Sequence, residues 1–148
     1  MTAKEYLSMP NMLRKKIESD ERNLESYKDF ASSISSPQFG EKSQGTHSVD
    51  APFVHCIDKI DELEKEISAE KQKLEALTMQ ISAQIDMLNS EKEQRVLRYK
   101  YLMFMSIPKI ASKMSYTKRW VQQLHSDALV SFEKTHPQFT PTSPLVHL

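Results

Sequence analysis

The stretch KIASKMSYTKRWVQQLHSDAL, residues 109–129, decides between two kinds of helical fold. It contains two short apolar stripes at helical spacing, and the dipeptide Ser115-Tyr116 separates them. Thr117, directly after this break, is a residue type that caps helices well. The stretch is therefore either part of a plain helical bundle or a helix-turn-helix, whose second helix can enter a groove of DNA. The two stripes comprise Ile110, Ala111, Met114, Val121, Leu124 and Ala128.

The sequence before this stretch predicts two further helix starts. Ser90 and Glu93 have the spacing of a capping box, and the helix that they open would run to about residue 104. Ser106 caps the next helix, with Pro108 in its first turn, where a missing N–H is harmless. The alanine in the core face of that helix lets a neighbouring helix cross closely. These signals predict three helices over residues 90–134, which form either a helix-turn-helix DNA-binding domain or an ordinary three-helix bundle.

The outward face of the last helix is polar and basic once its apolar stripe is assigned to the core. An arginine can fork onto guanine, a glutamine onto adenine, and a lysine can bind a phosphate or guanine. The helix N-terminus and the lysines of the preceding helix favour phosphate contacts. On composition alone, the same face is equally typical of a solvated surface on an ordinary three-helix bundle. The candidate DNA-binding residues are Tyr116, Thr117, Lys118, Arg119, Gln122, Gln123, Ser126, Lys109 and Lys113.

The charges are distributed unevenly along the chain. Its 148 residues include 20 Lys and Arg and 20 Asp and Glu, so the formal net charge is zero. Residues 1–89 have 11 basic and 16 acidic side chains, whereas residues 90–134 have 9 basic and 4 acidic ones. An acidic front part and a basic back part indicate a polyanion-binding module joined to an interaction module.

The front part of the chain predicts a long helical hairpin or coiled coil. N-terminal helices are expected within residues 1–34, followed by a loop over 35–52 that contains both glycines. A long helix over 53–89 has apolar residues on a 3–4 repeat for about four heptads, which is typical of a coiled coil. Its narrow seam must be buried against the first long helix, a second copy of the chain or a partner. Residues 135–148, with three prolines, are expected to form a flexible tail.

The sequence lacks the signals that are typical of several functional classes. Cys56 is the single cysteine, so there is no disulfide framework and no cysteine zinc site, which fits a reducing cytoplasm. No stretch reaches the ~18 apolar residues of a membrane span, and the N-terminus has no secretory signal. His125, Ser126 and Asp127 are adjacent on one helix and cannot form a catalytic triad. We therefore expect no enzyme activity, no metal, no cofactor and no membrane contact.

Two residues of the last helix allow more than one interpretation of their role. Trp120 would lie against the DNA backbone or pack on the supporting helix, and packing is the favoured interpretation. His125 lies at the edge of the core stripe, where a structural or phosphate-facing role is more usual than a catalytic or metal-binding one.

The segment RVLRYKYLMFMSIPKIASKMSYTKRWVQQLHSDALVSFEK (95–134) resembles the C-terminal part of the phage late-gene transcriptional regulators of the ArpU/RinA type. That part is similar in turn to the last helix-turn-helix region of bacterial sigma factors. The matching pieces are VLRY (96–99), IA (110–111), MSYTKRWV (114–121) and LHSDAL (124–129). TAKEYL, SSISSP and IDKIDELEKEI in the front part also look like this family, so the resemblance covers about residues 2–134.

The resemblance implies a small phage-encoded regulator that binds specific double-stranded DNA in the cytoplasm of a bacterial host cell. It implies a helical N-terminal region and a DNA-reading surface. Our hypothesis gives the coiled-coil region the role of homodimerisation or of contact with bacterial RNA polymerase. The sequence departs from the family at Ser115, where glycine is usual. Either the serine adopts a left-handed turn at a cost of about 1 kcal/mol, or the turn differs slightly. The aromatic-acidic pair often found before Ile110 is also absent. Carried over by position, the reading surface is Thr117, Lys118, Arg119, Gln122 and Gln123.

A protein-interaction module is the alternative from a different class. In that interpretation the coiled coil binds polymerase or a phage packaging protein, and the chain has no DNA affinity of its own. The long seam and the zero net charge favour it. Partner capture that survives charge reversal at Lys118 and Arg119, without DNA affinity, would distinguish it from a DNA-binding regulator.

Overall fold

A computed structural model describes residues 1–34 and 46–139, and it gives side chains for these residues except 46–50. The described part of the chain is helical throughout and contains no β-strand, which confirms the predicted all-α fold. Its elements are α1 (Ala3–Leu7), α2 (Met9–Ile34), α3 (Thr46–Ile85), α4 (Glu91–Leu97), a π-helical turn (Arg98–Leu102), α5 (Ile107–Met114), α6 (Lys118–Thr135) and a 3-10 turn (Pro137–Phe139).

The chain divides into two compact units, and both long helices contribute to each of them. The hairpin unit is Arg14–Lys73, and the helix-turn-helix unit is Met1–Leu13 together with Leu74–Leu148. The boundary therefore falls inside α2 and inside α3 rather than at a loop.

In the hairpin unit, α2 and α3 pair within one chain. Their apolar stripes are buried, and ion pairs join their polar edges. Lys16 Nζ lies 2.7 Å from Glu70 Oε2, and Lys71 Nζ lies 2.9 Å from Glu21 Oε2. The later residues of α2 pair with the earlier residues of α3, as expected for antiparallel helices. The buried residues of this seam are Ile17, Ala31, Cys56, Leu63 and Ile67.

The helix-turn-helix unit has one apolar core, and helix α1 is part of it. Ala3 and Leu7 are fully buried there, and Tyr6 is almost so. The sequence grouped residues 1–34 as N-terminal helices, whereas in the structure residues 1–13 belong to the same unit as the last helices. Five residues at helical spacing predict a helix, but they do not indicate which core it joins. The other core residues are Ile81, Ile85, Leu88, Val96, Leu97, Tyr101, Ile110, Ala111, Val121, Leu124, Ala128 and Phe132.

The helix starts of this unit follow the sequence. Thr2 and Glu5 form the full capping box of α1, with each side chain accepting a hydrogen bond from the other's backbone N–H. Ser90 Oγ accepts from the Glu93 N–H at 3.3 Å, and Ser106 Oγ accepts from the Lys109 N–H at 3.3 Å. These hydrogen bonds satisfy N–H groups that the first turn of a helix leaves without an intrahelical partner.

Two predicted boundaries differ from the structure. Helix α3 begins at Thr46, inside the expected loop, and continues through Pro52. Helix α3 ends at Ile85 rather than at 89. Directly after Ile85, a tight turn forms in which the Leu88 N–H donates to the Ile85 carbonyl. The remaining loop residues, 35–45, lie outside the described part.

The segment after α6 is also more ordered than predicted. The ring of Phe139 stacks on Tyr6 with centroids 4.1 Å apart, and His136 is buried against Phe132. Aromatic contacts across the core therefore hold residues that composition alone assigned to the tail. Residues 140–148 of that tail lie outside the described part.

Candidate nucleic-acid interface

The turn between α5 and α6 depends on the backbone conformation of Ser115. Ser115 adopts the left-handed conformation, with φ 60° and ψ 42°. Its N–H donates to the Ser112 carbonyl at 3.3 Å, and the Tyr116 N–H donates to the Ala111 carbonyl at 2.9 Å. These two hydrogen bonds form a Schellman motif, in which glycine is the usual left-handed residue. The serine therefore makes the turn that a glycine would make, with the strain of a side chain at positive φ.

The first turn of α6 begins as predicted. The Thr117 hydroxyl accepts a hydrogen bond from the Trp120 N–H at 3.1 Å. The backbone N–H groups of Lys118 and Arg119 precede the first intrahelical hydrogen bond, so they point along the helix axis toward solvent. Together with the helix dipole, they are suited to a phosphate oxygen.

The face of α6 opposite the core is exposed. Val121, Leu124, Ala128 and Phe132 are buried on one side, which fixes the rotation of the helix about its axis. The side chains opposite that stripe are free to contact a ligand. The candidate residues that are exposed on this face are Lys118, Arg119, Gln122, Gln123 and Ser126, and Thr117 is exposed at its start.

The two candidate lysines of α5 line an open depression. The depression has a volume of about 420 Å³ and lies between α5 and the segment that follows the π-helical turn. Lys109 and Lys113 are both exposed there, next to Ser112 and the methionines Met103 and Met105. Lys109 and Lys113 are four residues apart, so they lie on the same face of α5. Two exposed cations on one face suit contact with phosphates, which needs charge without base-specific geometry.

Arg98 serves a structural purpose. Its guanidinium bonds to the Asp86 carboxylate and donates to Ser82 Oγ at 2.8 Å, so it ties the π-helical turn to the end of α3. The wide turn is closed by a hydrogen bond from the Met103 N–H to the Arg98 carbonyl. The pairing with Asp86 reduces the positive charge that Arg98 adds to residues 90–134.

His125 is a structural residue with an uncharged ring. Its Nε2 lies 2.6 Å from the Tyr101 hydroxyl, and the two rings are tilted against each other. Burial, together with the nearby charges of Lys100 and Lys4, lowers the pKa of His125 to about 4. Burial raises the pKa of Tyr101 to about 12, so its hydroxyl stays protonated. This pair joins the π-helical turn to α6, as the structural interpretation of His125 predicted.

Trp120 is 48 % exposed, so packing accounts for only part of its surface. Its ring meets the edge of Tyr116, with centroids 6.3 Å apart in a T-shaped arrangement. Lys92 Nζ lies 5.8 Å from the centre of the Tyr116 ring. Tyr116 is half-buried, and the three side chains form an aromatic and basic flank at the start of α6.

Sequence reasoning missed one contact within the polar face. Gln123 Nε2 donates to Asp127 Oδ1 at 3.0 Å, and both side chains are exposed. Their separation of four residues is the spacing at which helical side chains meet, so the contact was available from the sequence.

A cluster of carboxylates lies in the hairpin unit. Oxygens of Asp20, Glu66 and Glu70 lie within 4.8 Å of one another. The Lys16 ammonium lies 2.9 Å from Asp20 and 2.7 Å from Glu70, and it holds the pKa of Asp20 below its usual range. The same two hydrogen bonds raise the pKa of Lys16. A lysine thus supplies the positive charge that these carboxylates would otherwise take from a cation.

Comparisons of the chain with family models, curated proteins and solved structures find no match. Among the described helices, none has the length and apolar content needed to cross a membrane.

Proposed function

We propose that the chain is a sequence-specific double-stranded DNA-binding transcriptional regulator, of the phage late-gene type that its sequence resembles. In this proposal α6 enters the major groove, Arg119, Gln122 and Gln123 read base edges, and Lys109 and Lys113 contact phosphates. The observation behind it is the capped helix α6, which follows a Schellman turn and presents an exposed polar face opposite a buried stripe.

The side-chain chemistry of that face suits base reading. Arginine presents two parallel N–H groups to the O6 and N7 acceptors of guanine, and glutamine matches the donor and acceptor of adenine. Within the described residues Arg119 has no ion pair, so its guanidinium remains available, and the Gln122 side chain is exposed. The backbone N–H groups at the start of α6 would then fix the register of the helix on the phosphate chain.

The hairpin unit supplies the proposed interaction module. Its acidic, ion-paired surface is unsuited to DNA, so we assign it to a protein partner, either bacterial RNA polymerase or a second copy of the chain. Since α2 and α3 already bury their seam within one chain, a homodimer would have to use other surfaces than that seam.

The first test is DNA binding by the pure full-length chain. Fluorescence anisotropy would follow its binding to fragments of its own genome between about 50 and 200 mM salt, with light scattering on the same sample. We expect one fragment to bind far more tightly than the rest, with affinity falling steeply as salt rises. Weak and equal binding to every fragment would contradict the proposal and favour the protein-interaction module.

Two point variants separate base reading from phosphate binding. Arg119→Ala is expected to weaken binding to the preferred site by ~1–3 kcal/mol and to relax specificity at one position. Lys113→Ala is expected to weaken binding to all sequences about equally and to lower the salt slope by about 1. Lys134→Ala, an exposed lysine near the far end of α6, is the matched control and should bind as wild type. Equal losses from the first two variants on every duplex would contradict the role of Arg119.

A further inference from the structure

Asp127 is an acidic residue on the surface that we propose binds DNA. It is the one acidic residue in the first ten residues of α6, and it is exposed beside the candidate reading side chains. Among the described residues, no lysine, arginine or histidine nitrogen lies within 4.0 Å of its carboxylate. A carboxylate that has no cationic partner and lies near the phosphates lowers affinity for DNA of any sequence. Its presence therefore needs a compensating role.

The compensating role follows from its hydrogen bond with Gln123. Gln123 Nε2 donates to Asp127 Oδ1 at 3.0 Å. An ionised carboxylate can only accept hydrogen bonds, so the opposite orientation of the amide, with Oε1 toward Asp127, would be repulsive. The contact therefore fixes which end of the carboxamide faces Asp127. Oε1 and the second hydrogen of Nε2 remain for another partner.

We propose that Asp127 is a positioning residue that makes Gln123 select adenine over guanine. This assignment rests on the proposed function and deepens it. Adenine presents a donor at N6 and an acceptor at N7, which match the Oε1 and the remaining N–H of a fixed amide. Guanine presents acceptors at both O6 and N7, so the fixed Oε1 would face O6 with no hydrogen between the two oxygens. A glutamine with a freely rotating amide can instead turn its N–H groups toward guanine.

The charge of Asp127 adds a second contribution to specificity. It weakens binding to every sequence through repulsion of the phosphates, while the oriented amide restores affinity only where adenine is present. Discrimination between sites rises when wrong partners are disfavoured as well as when the right one is favoured.

The experiment selects bound sequences from a pool of 20-base-pair duplexes with randomised centres. Four full-length proteins are compared: wild type, Asp127→Asn, Gln123→Ala and the double variant. Asparagine keeps the size of Asp127 but can present either an oxygen or an N–H group, so it no longer fixes the amide. Asp127→Glu, which keeps the carboxylate, is the conservative control and should retain the wild-type preference.

We expect wild type to enrich adenine over guanine at one position that Gln123→Ala loses. Asp127→Asn should lower that adenine-to-guanine ratio about five- to tenfold, within the range of a single bidentate contact. It should also tighten binding to an unselected duplex by a small factor. In the Gln123→Ala background, Asp127→Asn should change only the binding to unselected DNA.

Two results would overturn the role of Asp127 alone. One is an unchanged adenine-to-guanine ratio in Asp127→Asn while wild type still selects sequences. The other is an equal loss of that ratio with and without Gln123. Failure of wild type to enrich any sequence would instead overturn the proposed function, and the assignment of Asp127 with it.

Discussion

At the residue scale, Ser115 shows how much of the turn depends on one backbone conformation. The turn needs a left-handed residue, and the sequence places a serine where glycine is the usual residue of such a turn. In the structure Ser115 has a φ of 60°, and both hydrogen bonds of the Schellman motif are present. The Cβ atom of the serine strains the backbone at this positive φ. The side chain of Ser115 is exposed, so its removal would leave no cavity.

Ser115→Gly is expected to raise the free energy of unfolding by about 1 kcal/mol. Glycine populates positive φ without the steric clash of a Cβ atom, and the backbone N–H stays in place. Urea unfolding of the full-length chain measures this change. Ser112→Gly, an exposed position within α5, is the control and should lower stability by about 0.5–1 kcal/mol. A destabilised Ser115→Gly variant would contradict the strained turn.

His125 gives the helix-turn-helix unit a defined pH response. Its pKa is about 4 in the folded protein and 6.5 in a free histidine. The unfolded chain therefore binds a proton first as the pH falls below about 6.5. This contribution to stability is complete above that pH and is lost progressively toward pH 4.

Between pH 7.5 and pH 5, we expect this effect to lower the free energy of unfolding by about 1 kcal/mol, allowing for partial exposure of the ring. Urea unfolding at both pH values is compared with that of His125→Gln, which should show a smaller loss on acidification. His55→Gln, an exposed histidine in α3, should respond like wild type. The same acid sensitivity in all three proteins would assign the effect to other groups.

At the element scale, the N-terminal capping hydrogen bond of α6 determines where the helix that carries the candidate interface begins. Thr117 satisfies the Trp120 N–H and sets where the helix begins, and the two preceding N–H groups are left for a phosphate. The local sequence was sufficient to predict this cap and that of α5, because both depend on residues three positions apart.

Thr117→Ala is expected to lower the free energy of unfolding by about 0.5–2 kcal/mol, the usual loss for a removed N-cap. Urea unfolding measures the loss, and Thr117→Ser should behave nearly as wild type because it keeps the hydroxyl. If the proposed function is right, Thr117→Ala also weakens DNA binding through fraying of the first turn. Equal stability of the alanine and serine variants would show that the cap contributes nothing.

At the scale of the whole molecule, the first helix completes the core of the unit that contains the candidate interface. Tyr6 stacks on Phe139 and accepts a hydrogen bond from Gln80 at 2.7 Å, which brings together residues from three parts of the chain. The sequence had separated these residues into a front region, a long helix and a tail. A periodic pattern predicts that a face is buried, but it does not name the surface that buries it.

Leu7→Ala is therefore expected to destabilise the helix-turn-helix unit by about 2–5 kcal/mol, because a fully buried leucine leaves a cavity. Thermal unfolding followed by the fluorescence of Trp120 reports on that unit, since Trp120 is the single tryptophan of the chain. Lys4→Ala, an exposed residue of the same helix, is the control and should be nearly neutral. An unchanged signal in Leu7→Ala would contradict the packing of α1 in this core.

The sequence by itself determined the helices, their capped starts, the buried stripe of α6 and the polar face opposite it. These features depend on contacts between residues three or four positions apart, which a linear pattern displays directly. Only the tertiary structure decided that Arg98 pairs with Asp86, that His125 bonds to Tyr101 and that α1 joins the core of the last helices. Those contacts join residues from separate elements, and helical periodicity alone does not specify which faces meet.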